Sequence, residues 1–275
     1  MRADLYLVRY GFAESRTLAQ KLIADGAVSV DGRTIRKPSE DIPERDPDAV
    51  GGGDSARAVT IRATADTRYV GRGGLKLEAA LAAFDLPVTG CVVADIGAST
   101  GGFTDCLLQS GAAVVYAVDA GHGQLHPRLR ADDRVRVAEG MNARGITPAD
   151  IIHMEDAWRA AHPHAPHPAM DGRVDGCVMD VSFISQTLLH PAIAGILNPG
   201  GWFVALIKPQ FELDAHALGK RGVVKRESDH RAAVRRVTES AEACGFFVER
   251  VIPSPIEGGD GNREFLALFR KIANA

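Results

Sequence analysis

The first 64 residues carry apolar side chains at a helical spacing that then changes to an alternating one. Two stripes at helical spacing predict two short helices: Leu5, Val8 and Phe12 form the first, and Leu18, Ala19, Leu22 and Ile23 the second. Ser15 is placed to cap the second helix and Gly26 to end it. Alternating apolar residues then flank Asp31-Gly32, a strong signal for a hairpin turn, and residues 59–63 could add a strand. We expect a small α+β domain over residues 1–64.

A different pattern begins at residue 75, after a linker predicted over residues 65–74. Short apolar strands are predicted at 91–96, 114–118, 135–139, 176–179 and 202–207, and helical segments at 75–84, 103–110, 185–197 and 229–244. Residues 246–253 and 264–270 predict a terminal hairpin. Alternating strands and helices are typical of a doubly wound, mostly parallel α/β sheet. We therefore expect a second domain of this class over residues 75–275.

The composition is typical of a globular protein and argues against a membrane protein. Of its 275 residues, 45% are hydrophobic, yet no run approaches the roughly 18–20 apolar residues of a membrane span. The N-terminus lacks the apolar core of a signal peptide, so we expect a cytoplasmic protein without a membrane partner.

Charge is distributed unevenly along the chain. Residues 1–38 hold seven basic and four acidic side chains, net +3, whereas residues 39–56 hold six acidic side chains and one basic, net −5. A basic face followed by an acidic loop is typical of a docking module.

No metal site is predicted. The four cysteines, Cys91, Cys106, Cys177 and Cys244, lie far apart in sequence and are expected to be buried, reduced thiols. The stretch with His162, His164 and His167 leaves a metal site open, but it is interleaved with proline and alanine, which favours a surface loop.

The clearest candidate for a ligand site is the run Asp95-Ile96-Gly97-Ala98-Ser99-Thr100-Gly101-Gly102, where an apolar strand ends in a glycine-rich turn. The next strand ends at Asp119, an acid placed to accept hydrogen bonds from a ribose diol. A dinucleotide site would need G-x-G-x-x-G, whereas the chain has G-x-x-x-G-G after an acid that would repel phosphates. The pattern favours S-adenosylmethionine over a dinucleotide, and over a turn without a ligand.

Charged residues also stand at strand ends where a core would be expected. Lys208 closes an apolar strand, Asp180 ends another, Lys76 follows Gly73-Gly74, and Glu264 begins the last strand. A lysine buried at the ligand edge of a sheet could serve as a base or a hydrogen-bond donor. Taken singly, Lys76 could equally be a solvated helix residue, and Glu264 an edge-strand charge that prevents aggregation.

These motifs together resemble a known family. Residues 76–270 resemble the FtsJ-like ribose methyltransferases, and the whole chain resembles the hemolysin-A-like (TlyA) family, which joins such a domain to an S-four-like RNA-binding domain. The matching runs are Ser15-Arg16, Gly26 to Gly32, Lys37-Pro38, Arg72 to Leu77, Asp95 to Thr104, Asn142-Ala143-Arg144, Asp180 to Ser185, Lys208 to Glu212, Gly222-Val223-Val224, Ser254-Pro255, Gly261-Asn262 and Glu264-Phe265.

The resemblance implies a Rossmann-like class I methyltransferase that uses S-adenosylmethionine to methylate the ribose 2′-oxygen of a nucleotide, expected to be cytidine, in ribosomal RNA. It implies a catalytic tetrad at Lys76, Asp180, Lys208 and Glu264, in which Lys208 is expected to activate the hydroxyl. Expected cofactor contacts are Asp95, Gly97, Ser99, Gly101, Gly102, Asp119 and, for the adenine edge, Asn142. Expected RNA contacts are Arg2, Arg9, Arg16, Lys21 and Lys37.

Two further points follow from the resemblance. Arg226 stands where an acid is common in the family, which could affect substrate fit. The word hemolysin raises a membrane-lytic protein as an alternative, and the lack of a strongly amphipathic surface segment opposes it.

Overall fold

The structure is a computed structural model that describes residues 1–10, 12, 13, 16–24, 26–42, 59–61, 68–163, 171–219, 222–258 and 261–273. The chain forms two compact units, Met1–Arg68 and Tyr69–Ala275. The division falls within the predicted linker 65–74, although Gly73 and Gly74 already lie in the first turn of a helix.

The N-terminal unit is a small α+β fold. Its helices are α1 (Ala3–Arg9) and α2 (Arg16–Ala24), and its strands are β1 (Val28–Val30), β2 (Arg33–Thr34) and β3 (Val59–Ile61). The strands pair antiparallel in the order β2-β1-β3. Asp31 and Gly32 both have positive φ, 49° and 79°, which confirms the predicted hairpin turn.

The predicted stripe of the first helix is only partly confirmed, since Val8 alone of its three residues packs against the core. Leu5 is 40% exposed and Phe12 37%, whereas Tyr6 and Leu7 are buried. The helix ends at Arg9, so Phe12 cannot continue its stripe. The second stripe is confirmed for Ala19, Leu22 and Ile23, which are buried; Ser15 and the side chain of Leu18 lie outside the described parts.

The C-terminal unit alternates strands and helices. Its helices are α3 (Gly73–Phe84), α4 (Gly102–Gln109), α5 (Pro127–Arg130), α6 (Pro148–Ala161), α7 (His190–Ile196), α8 (Pro209–Glu212) and α9 (Glu227–Ala243). Its strands are β4 (Val92–Ile96), β5 (Val114–Asp119), β6 (Val135–Glu139), β7 (Val174–Met179), β8 (Leu197–Ile207), β9 (Phe246–Pro253) and β10 (Phe265–Lys271). The predicted helix over 185–197 is divided into a 3₁₀ turn, Gln186–Leu188, and α7, because Pro191 lies in the first turn of α7.

The strands of this unit form one mostly parallel sheet in the order β6-β5-β4-β7-β8-β10-β9, within the described ranges. Strand β10 runs antiparallel to β8 and β9, which confirms the terminal hairpin. Alternate residues of β8 enter two apolar layers: Phe203 packs on one side of the sheet and Val204 on the other. The predicted fold class is confirmed.

After β4 the chain adds β5 and β6 on one side of it in the sheet, and then β7 and β8 on its other side. The strand order therefore reverses beside β4. In a doubly wound sheet, ligands bind beyond the carboxyl ends of the strands at such a switch point. The loops that follow Ile96, Asp119 and Met179 meet there.

Candidate active site

The glycine-rich loop after β4 is shaped by close packing of the chain on itself. Gly97 has φ +84°, and a Cβ there would lie 2.7 Å from the carbonyl oxygen of Asp180. Gly101 has φ +98°, and a Cβ there would lie 2.2 Å from Leu129 Cδ1. Gly102 begins α4, where a Cβ would lie 3.0 Å from the backbone nitrogen of Gly74. Before any ligand is considered, Gly97 has no room for a Cβ beside the backbone, Gly101 combines a positive φ with side-chain crowding, and Gly102 would accept a Cβ only tightly.

Asp119 is held rigidly at the end of β5. One carboxylate oxygen accepts a hydrogen bond from the Ser99 N–H (2.8 Å) and the other from the Gly121 N–H (2.7 Å). The loop that follows is anchored by Glu139, which accepts hydrogen bonds from the N–H groups of residues 123, 124 and 125. An ion pair with Arg130 and these backbone bonds lower the pKa of Glu139 to about 2.

A cavity of about 390 Å³ lies beyond the ends of β4, β5 and β7. Four of the predicted cofactor residues line it: Gly97, Ser99, Asp119 and Asn142. The Asn142 side chain accepts a hydrogen bond from the Arg144 N–H (3.1 Å) and so caps a 3₁₀ turn at the cavity wall. The apolar part of the lining includes Met141, Val181, Ile184 and Leu189.

Asp95 lies behind the loop and lines neither this cavity nor the smaller one described below. It is fully buried; Oδ2 accepts a hydrogen bond from Thr104 Oγ1 (2.6 Å), while Oδ1 has no hydrogen-bond partner among the described residues. Burial raises the pKa of Asp95 to about 7, against the opposing effect of the Thr104 bond. A positive charge near Oδ1 would stabilise the carboxylate.

The four residues of the predicted tetrad form two ion pairs. Lys76 Nζ lies 2.5 Å from Glu264 Oε2, and Lys208 Nζ lies 2.6 Å from Asp180 Oδ1. Phe265 pairs with Ile207 across β10 and β8, so Glu264 and Lys208 occupy adjoining positions in neighbouring chain segments. Both lysines are only 9% exposed.

A second cavity, of about 180 Å³, lies against Lys208. It is lined by Arg72, by Gly97 and Ser99 of the glycine-rich loop, and by the first residues of α3 and α4. Asp180 and Ser182 line both cavities, which places the Lys208–Asp180 pair where the two cavities meet.

The sequence reasoning assigned no role to Ser182 and Phe183. Lys208 Nζ donates a hydrogen bond to Ser182 Oγ (2.8 Å). Phe183 is 92% exposed at the cavity rim, has φ +64°, and lies 5.3 Å from the Phe211 ring. Such a backbone conformation is a strain for a bulky residue and is concentrated at functional sites. Only the position of the run Val181-Ser182-Phe183 after Asp180 could have indicated them.

In the N-terminal unit, two predicted RNA contacts share one buried carboxylate. Asp4 is fully buried and accepts hydrogen bonds from Arg2, Arg16 and Gln20, at 2.8 to 3.0 Å. The bond from Arg2, foremost, holds the pKa of Asp4 well below its usual range. Both guanidiniums remain about half exposed. The structure also places Arg9, Lys21 and Lys37 at the surface of this unit.

The histidine stretch is described only in part, because His164 and His167 lie outside the described residues. His162 stacks on Trp158, with 4.3 Å between ring centroids. Within the described ranges, no group of three or more histidine, cysteine, aspartate or glutamate side chains is arranged to hold a metal ion. All four cysteines are free; Cys106 and Cys177 are buried, but Cys91 and Cys244 only partly, which corrects the expectation of four buried thiols.

Comparison with known proteins identifies both units. Residues 69–271 match the FtsJ-like methyltransferase family, and residues 1–47 match the S4 domain. The chain is 38% identical over 269 residues to the 16S/23S rRNA (cytidine-2′-O)-methyltransferase TlyA of Mycobacterium tuberculosis, with 98% of this chain and 89% of the relative covered. It is 37% identical over 270 residues to Hemolysin A of Brachyspira hyodysenteriae, with 98% and 99% covered.

A solved structure from Streptococcus thermophilus, described as a "putative hemolysin", superposes with a TM-score of 0.68 at 40% identity, covering 99% of this chain and 88% of that one. The predicted resemblance is confirmed. The chain belongs to the FtsJ-like methyltransferase family and is one of its members in which an S4 domain precedes the methyltransferase domain.

Proposed function

We propose that this enzyme transfers a methyl group from S-adenosylmethionine to the 2′-oxygen of a ribose, expected to be that of a cytidine, in ribosomal RNA. The observation that carries the proposal is the Lys208–Asp180 ion pair at the junction of the two cavities. The named activity of the mycobacterial relative, which matches nearly the full length of this chain, supports the choice of substrate.

The residues of the larger cavity suit S-adenosylmethionine. Asp119 is fixed by two backbone N–H groups and keeps lone pairs for a ribose diol. The unpartnered Oδ1 of Asp95 behind the loop suits the positively charged amino group of the methionine part, reached through a water. The cavity offers apolar side chains to an adenine ring. When bound, the cofactor supplies an electrophilic methyl carbon.

Lys208 is the group that we assign to activation of the 2′-hydroxyl. A hydroxyl is a weak nucleophile until its proton is removed or strongly hydrogen-bonded. Lys208 Nζ is the group placed to accept that proton or to hydrogen-bond the hydroxyl, and the Asp180 carboxylate beside it stabilises positive charge on the nitrogen. The Lys76–Glu264 pair lies on the adjoining segments and lines neither of these two cavities. The chain otherwise contributes alignment of the two reactants.

Each unit is expected to contribute contacts to the RNA. Arg2 and Arg16 present half-exposed guanidiniums that suit backbone phosphates. Phe183 presents an aromatic face at the cavity rim, where an unstacked base could stack. Proteins that read RNA in this way act on bases outside regular helices.

A membrane-lytic activity is the alternative that the names of some relatives suggest. Within the described ranges, no helix combines the length and the apolar character needed to cross a membrane. The purified chain should methylate isolated ribosomal subunits and leave lipid vesicles intact. Vesicle leakage without methyl transfer would favour the lytic alternative.

The deciding experiment is methyl transfer by Lys208 variants that are first shown to be folded. Lys208→Ala should lose about two to four powers of ten in rate, the usual worth of positioned proton transfer. Lys208→Arg should also fail, since a guanidinium stays protonated. Cofactor affinity, measured by calorimetry, should change little in either variant. Lys225→Ala, at an exposed lysine, is the matched control. Near-normal turnover in Lys208→Ala would contradict the assignment.

A further inference from the structure

Ser182 is the residue that links the charged pair to both cavities. Its hydroxyl oxygen lies 2.8 Å from Lys208 Nζ and accepts a hydrogen bond from it. The side chain lines the larger cavity and also the smaller one against Lys208. Ser182 is itself exposed, so its hydroxyl contributes little to the packing of the core.

The contact between Lys208 and Asp180 differs in kind from the contact with Ser182. Nζ lies 2.6 Å from Asp180 Oδ1, yet that oxygen accepts no well-directed hydrogen bond from the described residues. The attraction to Asp180 is therefore chiefly one of charge, which has little directional preference. The hydrogen bond to Ser182 is the directional contact of the ammonium group.

The segment that carries Ser182 is held at both ends. The Asp180 N–H donates to the carbonyl of Ile96 at 3.0 Å. At the other end, Glu212 accepts a hydrogen bond from Ser185 Oγ (2.5 Å) and another from the Gln186 N–H (2.9 Å). Glu212 is only 2% exposed and belongs to α8, which begins directly after Lys208. The lysine and its acceptor are thus fixed relative to each other before substrate arrives.

We propose that Ser182 is a positioning residue for methyl transfer: by accepting the hydrogen bond from Lys208 Nζ, it sets the direction in which this nitrogen meets the ribose 2′-hydroxyl. The proposal rests on the proposed function, in which Lys208 is the activating group. Without the serine hydroxyl, the attraction to Asp180 alone would leave the ammonium free to rotate and shift along the carboxylate. A group of this kind affects the rate of the chemical step rather than binding.

The test compares Ser182→Ala with Ser182→Thr, which keeps the hydroxyl, in single-turnover methyl transfer to isolated ribosomal subunits. The alanine variant should be slower by roughly tenfold to a hundredfold, the fold-change that corresponds to one hydrogen bond to a charged group. The threonine variant should recover most of the rate. The Kd for S-adenosylmethionine and the KM for the subunits should stay unchanged in both. Ser228→Ala, at an exposed serine in the first turn of α9, should behave like the native chain.

A double variant separates action through Lys208 from an independent effect. If Ser182 acts through the lysine, Lys208→Ala with Ser182→Ala should be no slower than Lys208→Ala alone. The proposal would be overturned if the double variant were slower than Lys208→Ala by the same factor by which Ser182→Ala is slower than the native chain. So would a normal rate in Ser182→Ala, or a weaker cofactor Kd with an unchanged rate at saturation. If the native chain transfers no methyl group to the subunits, the proposed function fails. If Lys208→Ala remains active, the assignment of Lys208 as the activating group fails; if only Ser182→Ala remains active, the positioning role alone fails.

Discussion

Asp95→Asn should stabilise the methyltransferase domain at alkaline pH and weaken cofactor binding. The carboxyl is fully buried and its Oδ1 has no hydrogen-bond partner among the described residues, so burial raises its pKa from the ordinary 3.8 to about 7. The folded state then binds a proton that the unfolded chain releases between these two values. The free energy of unfolding therefore falls as pH rises from about 4 to about 7, and it levels off above that range. Asparagine does not titrate and should escape this loss.

The size of the effect follows from the shift. About three pKa units at about 1.4 kcal/mol each give a total of about 4 kcal/mol for complete titration. Between pH 5 and pH 8 the unfolding free energy of the native chain should fall by about 2 to 3 kcal/mol of this total. The rest is lost below pH 5, because the unfolded chain is already mostly deprotonated at that pH. The difference in unfolding free energy between Asp95→Asn and the native chain should therefore be larger at pH 8 than at pH 5 by this amount, in favour of the variant.

Urea unfolding followed by tryptophan fluorescence measures this difference in the right domain. The chain has two tryptophans, Trp158 and Trp202, and both lie in the C-terminal unit. Asp156→Asn, which removes an exposed carboxylate from α6, is the control for the loss of one charge. Calorimetry should show cofactor affinity weakened roughly tenfold to a hundredfold in Asp95→Asn, the range for a lost hydrogen bond to a charged group. Parallel pH dependences for the native chain and Asp95→Asn would refute the reasoning.

Three other substitutions test the geometry at separate places. Asp4→Asn should lower RNA affinity and reduce the slope of log affinity against log salt by about one to two, because the guanidinium of Arg2 loses its buried partner; an unchanged slope would count against a phosphate contact. Gly101→Ala should lower the Tm far more than Gly123→Ala, since both have positive φ but only Gly101 lacks room for a Cβ; equal shifts would contradict this. Phe183→Gly should keep or raise stability, because φ +64° suits glycine, while RNA affinity falls by roughly one to two powers of ten; unchanged RNA affinity would exclude base stacking.

The strands were predictable from sequence because each is a short apolar run bounded by turn residues. Buried parallel strands need apolar side chains on both faces, and this leaves a continuous signal in β4, β5 and β8. The hairpin at Asp31-Gly32 was predictable because few other dipeptides tolerate its conformation. Charged residues at the ends of such strands stand out against this background, and for this reason Asp180 and Lys208 were singled out.

Helix α6 was not named from the sequence, and its attachment to the sheet combines apolar contacts with a buried ion pair. Ile151 and Glu155 are its buried residues, and Glu155 pairs with the buried Arg136 of β6 at 2.8 Å. Ile151, Met154 and Trp158 keep a helical spacing in the sequence, but Met154 and Trp158 are only partly buried. The helix start was nevertheless signalled by Thr147 and Asp150, which form a capping box around Pro148. The pairing of Lys76 with Glu264, 188 residues away, depends on the sheet order and has no local signal.

The glycine-rich loop shows that a motif can have a structural cause beside the one that its sequence suggests. Glycine in such loops commonly lets the backbone approach a ligand closely. Here, however, a Cβ at Gly97 would collide with the backbone of Asp180, and one at Gly101 with the Leu129 side chain. The loop can therefore close onto the segments after β7 and β5 only if these positions are glycine. That closure brings the Ser99 N–H to Asp119, so the packing of the loop sets the orientation of the carboxylate that is proposed to hold the ribose. A substitution at Gly101 consequently tests the folding of the loop first, and a loss of cofactor binding in such a variant is no measure of direct contact.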